Sequence, residues 1–131
     1  MKKSILVLLL VVTAFSCGDK NTNEKDETLM KEVVAVHDEL MTQMGKLTSL
    51  EMTLELDSAD GNQATKDKLA KVRATNTEMF DWMRDFGADF SFEEINKGQE
   101  LTVQKQQLLQ SYHERIVLLQ DDFNVLLSDQ E

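Results

Sequence analysis

Proline is absent from this chain, and its five glycines are scattered singly. A sheet protein needs many tight turns, and tight turns draw on Gly and Pro, so their scarcity excludes a β-rich fold. One cysteine in 131 residues excludes a disulfide framework and a thiolate zinc site. Basic side chains are few, 14 against 24 acidic ones, for a net charge of −10. That balance repels the phosphate backbone, so nucleic acid is excluded as a partner. No apolar run reaches the ~20 residues that cross a bilayer as a helix. What is plentiful is Met, Leu, Glu, Lys and Gln, all good helix formers, and the class they specify is all-α.

The beginning of the chain reads as an address. Lys2 and Lys3 precede a mostly apolar run from Ile5 to Phe15, and the small Ser16 stands just before Cys17. That order is a secretory signal peptide, expected over residues 1–16. Ala14-Phe15-Ser16-Cys17 resembles a lipobox, with Phe15 at a position more often small. The resemblance implies a lipoprotein of the bacterial cell envelope, anchored in the membrane through lipid on Cys17. Gly18 directly after Cys17 resembles outer-membrane sorting. Without the leader, 115 residues remain with 12 basic and 24 acidic side chains, a net charge of −12. Residues 18–28 hold no large apolar side chain, so 17–28 is expected to be the lipidated cysteine and a disordered, flexible tether.

From residue 29 the apolar positions step by three and four. Met30, Val33, His37, Leu40, Met44, Leu47, Leu50 and Leu54 mark a helix over about 29–56. Turn residues at 57–62 end it. Leu69, Val72, Asn76, Met79, Met83 and Phe86 mark a second helix over about 62–86, with Asn76 as a polar intruder. Asp60 with Gln63 suits its N-cap, and Gly87 suits a left-handed end. Ser91-Phe-Glu-Glu94 has the form of a capping box and opens a third helix, over about 92–128. Short connections make residues 29–131 an up-down-up three-helix bundle with a long third helix.

Register arithmetic places His37 level with Phe80 to Met83, and His113 level with Leu54, so the histidines stand ~25 Å apart. A continuous third helix overhangs the other two beyond Arg115. Ile116, Leu119, Phe123 and Leu126 then form an exposed apolar stripe fit for an envelope protein or for self-association. The alternative is a break at Gly98 that slides the helix back into register.

Catalytic templates fail on spacing. Around His37 the positions that share its helix face are Val33, Val34, Leu40 and Met41; around His113 they are Leu109, Gln110, Ile116 and Val117. No carboxylate stands among them, so neither the Glu-x-x-His of di-iron bundles nor a zincin motif is present. His37-Asp38-Glu39 are consecutive and diverge by ~100°, which disqualifies them as a ligand set. The chain reads as a non-enzyme. One constellation remains: His37 and Met41 on the first helix, Met79 and Met83 at the same level of the second, and Trp82 beside them. One imidazole with thioethers suits Cu(I), although methionine at helical spacing is usually packing. A haem held between Met and His would need a fourth helix, and only three are evident.

Val34-Ala-Val-His-Asp-Glu-Leu-Met-Thr-Gln-Met-Gly45 and Phe80-Asp-Trp-Met-Arg-Asp-Phe86 resemble a family of small Bacteroidetes lipoproteins that carries the label "viral A-type inclusion protein". His37, Asp38, Glu39, Met41, Met44, Gly45, Asp81, Trp82, Met83 and Phe86 carry the likeness, while Leu40 and Thr42 stand where that family more often has Val and Pro. The resemblance implies a lipoprotein and names no activity. The expected function is a lipid-anchored, non-catalytic binding or scaffolding module of the cell envelope. A periplasmic Cu(I) carrier built on His37, Met41, Met79 and Met83 is the alternative.

Overall fold

A computed structural model describes residues 20–128: α1 (Lys20–Asp57), a 3-10 turn (Ser58–Asp60), α2 (Gln63–Asp89), α3 (Phe92–Asn96) and α4 (Val103–Leu127). The described residues are all-helical, with no strand among them. The expected leader, Cys17 and the start of the tether lie outside the described residues. None of the described helices is long and apolar enough to cross a membrane.

The three long helices each pack on the other two. Cross-helix contacts fix their directions. His37 stacks on Trp82 while Asn76 reaches Glu51, so α1 and α2 run antiparallel. Lys71 pairs with Asp122 and Arg115 with Glu78, so α2 and α4 do too. His113 meets Glu32 and Gln120 meets Glu39, so α1 and α4 are parallel. Between them lies one core, from Met30 on α1 to Leu126 on α4, with Trp82, Phe123, Leu40, Leu47 and Met79 among its largest fully buried side chains.

Four expectations need correction. Residues 20–28, expected to be tether, are the first turns of α1. Composition misled there because extending an existing helix adds one hydrogen bond per residue with no new nucleus. Thr28 Oγ1 donates to Glu24 O, and Lys31 pairs with Glu27 at 2.6 Å. The α3–α4 connection also folds against this turn, bringing the Glu27 side chain to Gly98.

The expected continuous third helix is two, and the alternative reading, a break at Gly98, is the one found. Gly98 at φ 64° ends α3, and Thr102 caps a new start at Val103 by accepting from Lys105 N. The restart draws α4 back along its neighbours, so no overhang exists. Ile116 and Phe123 are 0 % exposed, and Leu119 and Leu126 are buried beside them. These four are core residues and not a partner surface.

The shift also moves His113 to the level of Glu32, where Nε2 lies 3.1 Å from Oε1. The two histidines therefore stand within about two helical turns of one another in level, on opposite flanks of α1, rather than ~25 Å apart. Finally, Gly87 is inside α2, which ends at Asp89 with Phe90 N donating to Phe86 O. Its N-cap is Asn62, whose side chain accepts from Ala64 N. The Ser91–Glu94 capping box forms as read.

Candidate functional site

The α1–α2 seam opens into a groove of about 330 Å³ where α3 crosses its end. Val34, His37 and Asp38 come from α1, Trp82, Met83, Phe86 and Gly87 from α2, and Ile95 from α3. Local sequence accounts for each wall. His37 sits on the inward stripe of α1, one turn from Val33 and Leu40, which are buried. Trp82 is held by its Nε1 donating to Tyr112 O at 3.1 Å, and Phe86 stacks on it with centroids 4.7 Å apart. The capping box starts α3 immediately after α2 and so delivers Ile95. Gly87 contributes no side chain, and a Cβ built there meets nothing within 4 Å. The groove is open because that position is empty of side chain.

His37 supplies its polar edge. The imidazole stacks on Trp82, centroids 5.7 Å apart and planes 20° from parallel. Nδ1 lies 3.0 Å from Asp38 Oδ1. Sequence spacing set these two aside because adjacent helical side chains diverge, yet a short carboxylate can fold back to its neighbour's ring. With the proton placed on Nδ1 for that bond, Nε2 is an acceptor.

The four expected metal ligands are not brought together. His37 and Met83 line the groove. Met79 is 0 % exposed in the core, and Met41 is 41 % exposed outside the lining. No group of three His, Cys, Asp or Glu side chains is placed to hold a metal among the described residues.

Other polar groups are bound into the scaffold. Burial pushes the Glu94 carboxyl up, but Lys105 and Ser91 hydrogen bonds outweigh it and leave the group below its ordinary value. Lys105 Nζ is 2.7 Å from Glu94 Oε2, so α3 is tied to α4. Burial raises the Tyr112 hydroxyl, and its donation to Asp89 raises it further. Burial likewise raises Asp26, with a Gln106 hydrogen bond opposing, and Asp26 Oδ2 is buried without a partner. A larger hollow of about 830 Å³ lies between α1 and α4 along Glu39, Lys46, Ser49 and Asn124. Its wall is more polar than apolar, so the smaller apolar groove is the better ligand site.

Fold and groove together define the class: an all-helical bundle with a small apolar cleft where α1, α2 and α3 meet. Compared with protein-family models, curated proteins and solved structures, the chain matches none.

Proposed function

We propose that this chain is a lipid-anchored, non-catalytic binding or scaffolding module of the bacterial cell envelope, held at the outer membrane through Cys17. Its domain is an up-down-up three-helix bundle in which α3 serves as a strap between α2 and α4. Membership in the family of Bacteroidetes lipoproteins belongs to the same proposal. The observation that supports a binding role is the open apolar groove around His37, on the segments that carry the family likeness. Exposed Met41 and Phe80 extend it. Both lie along the stretch of seam between the His37–Trp82 stack and the Glu51–Asn76 hydrogen bond. The partner surface thus moves from α4 to the α1–α2 seam.

The test is cross-linking in membranes. Cys17→Ser should release the chain from the membrane fraction. Met41→Glu with Phe80→Glu should keep the helical spectrum and lose the cross-linked envelope partner or self-dimer. Leu118→Glu with Val125→Glu, on the outer face of α4, should retain it. Complexes that survive the Met41/Phe80 pair would overturn the binding face.

Cu(I) is a second reading, supported by His37 and Met83 sharing one groove. Trp82 lines the same groove and is the only tryptophan, so anaerobic Cu(I) titration can be followed by its fluorescence. Stoichiometric quenching abolished by His37→Ala favours the metal, and a flat response favours the module.

A further inference from the structure

We propose that the His37 groove binds a small apolar amine, its hydrocarbon body on Val34, Met83, Phe86 and Ile95 and its ammonium group at Asp38 and His37. This deepens the binding-module reading and rests on it. The size fits, since about 330 Å³ lies at the lower end of what small-molecule sites enclose. The floor is apolar, so most of the affinity comes from burying hydrocarbon.

Charge selects the head group. Asp38 is the only carboxylate in the lining, and no lysine or arginine lines it. Two cations that flank the lining in sequence are engaged elsewhere: Lys31 pairs with Glu27, and Arg84 with Asp81 and Asp85. Lys97, the C-cap residue of α3, lies over the Phe92 ring, 5.5 Å from its centroid. A carboxylate or phosphate ligand would therefore enter a site with no counter-charge, in a chain of net charge −10. An ammonium group meets the opposite situation. It donates to Asp38, and it finds a second acceptor in His37 Nε2, which has no hydrogen-bond partner among the described residues while Nδ1 is held by Asp38. Stacking against Trp82 fixes the imidazole plane, so this acceptor is pre-positioned.

The experiment uses the full chain carrying Cys17→Ser, so that neither lipid nor detergent competes for the groove. Straight-chain alkylamines from propylamine to octylamine are titrated against Trp82 fluorescence, alongside the matching alcohols and carboxylates. Amine affinity should rise about three- to fourfold per methylene until the groove is full. Matched alcohols and carboxylates should bind about tenfold more weakly. Asp38→Asn should bring amine and alcohol to equal affinity, and Gly87→Phe should weaken every series while the helical spectrum is kept. Alcohols or carboxylates that bind as tightly as amines would overturn the amine assignment and leave the groove reading standing. No dependence on chain length in any series, together with no effect of Gly87→Phe, would overturn both.

Discussion

Helix α2 has two flanks, and they are secured differently. Along α4 a polar link recurs at intervals of about two turns or less. Lys71 pairs with Asp122 at 2.8 Å, Glu78 with Arg115 at 2.8 Å, Trp82 Nε1 with Tyr112 O at 3.1 Å, and Asp89 accepts from the Tyr112 hydroxyl. Along α1 the links gather at the turn end, where Arg73 and Asn76 hold Glu51 and Arg73 also reaches Glu55. Beyond them the seam continues through the His37–Trp82 stack to Met83 and Gly87 at the groove. Exposed ion pairs contribute little energy each, so the difference is not chiefly one of stability. It is one of freedom. A flank fixed by polar links at one end and lacking a side chain at Gly87 at the other leaves space on a rigid support, as a binding site requires.

The sharpest way to break the comparison is to remove the side chain that serves both flanks. Trp82 packs with His37 on one side and Tyr112 on the other, and it is 1 % exposed. Trp82→Ala should cost about 3–5 kcal/mol, and Phe123→Ala on α4 a similar amount. Met41→Ala, on the open face, should stay within about 0.5 kcal/mol of wild type. Urea unfolding followed by circular dichroism gives all three values. A Phe123→Ala change as mild as Met41→Ala would mean that α4 is not seated in this register.

Two carboxylates where the α3–α4 connection meets α1 sharpen the comparison through pH, with opposite signs. Glu94 titrates below its ordinary 4.5, so its contribution is complete above that value and disappears as pH falls through the folded value. Glu94→Gln should therefore cost about 1–3 kcal/mol near neutrality, with the gap to wild type closing on acidification. Asp26 titrates above its ordinary 3.8, so the folded state disfavours its ionised form. Asp26→Asn should stabilise the chain at neutral pH, and that gain should vanish once the wild-type carboxyl is protonated. Chemical denaturation across the acid range reads both. Gaps that stay constant with pH would show that neither group is linked to folding.

Helix periodicity carried much of this architecture, because inward stripes at Met30–Leu54 and Leu69–Phe86 have one burial solution each. It also brought His37 to Trp82, since the tight 57–62 turn leaves the α1–α2 register no slack. Periodicity left the third helix with two readings, and Gly98 decides between them. A single left-handed residue is invisible to apolar spacing, yet it decides whether Ile116 to Leu126 overhang or pack. The polar start of α1 escaped for the complementary reason, because composition gauges burial and not the continuation of a helix already formed. At the groove, His37, Trp82 and Met83 were legible, whereas Ile95 and the role of Gly87 depend on where α3 crosses. Asp38 was dismissed on Cβ direction, which does not describe how far a carboxylate can turn.

The glycines give the smallest effects and separate these causes. Gly87 and Gly45 are helical, and a Cβ at either meets nothing within 4 Å. Alanine at each should contribute about 0.5–1 kcal/mol by restricting the unfolded chain. Gly98 has φ 64°, and a Cβ there would lie 3.3 Å from Glu27 Cδ, so Gly98→Ala should cost about 1–2 kcal/mol instead. Thermal unfolding of the three variants tests the placement of these three glycines at once. A stabilising Gly98→Ala would mean that α3 runs straight into α4, which would return the α4 stripe to solvent and remove the strap that closes the end of the groove. Gly87→Ala carries a further consequence, because its methyl group enters the groove it stabilises. Greater stability with weaker alkylamine binding is the expected pair, and it would tie the missing side chain to function rather than to folding.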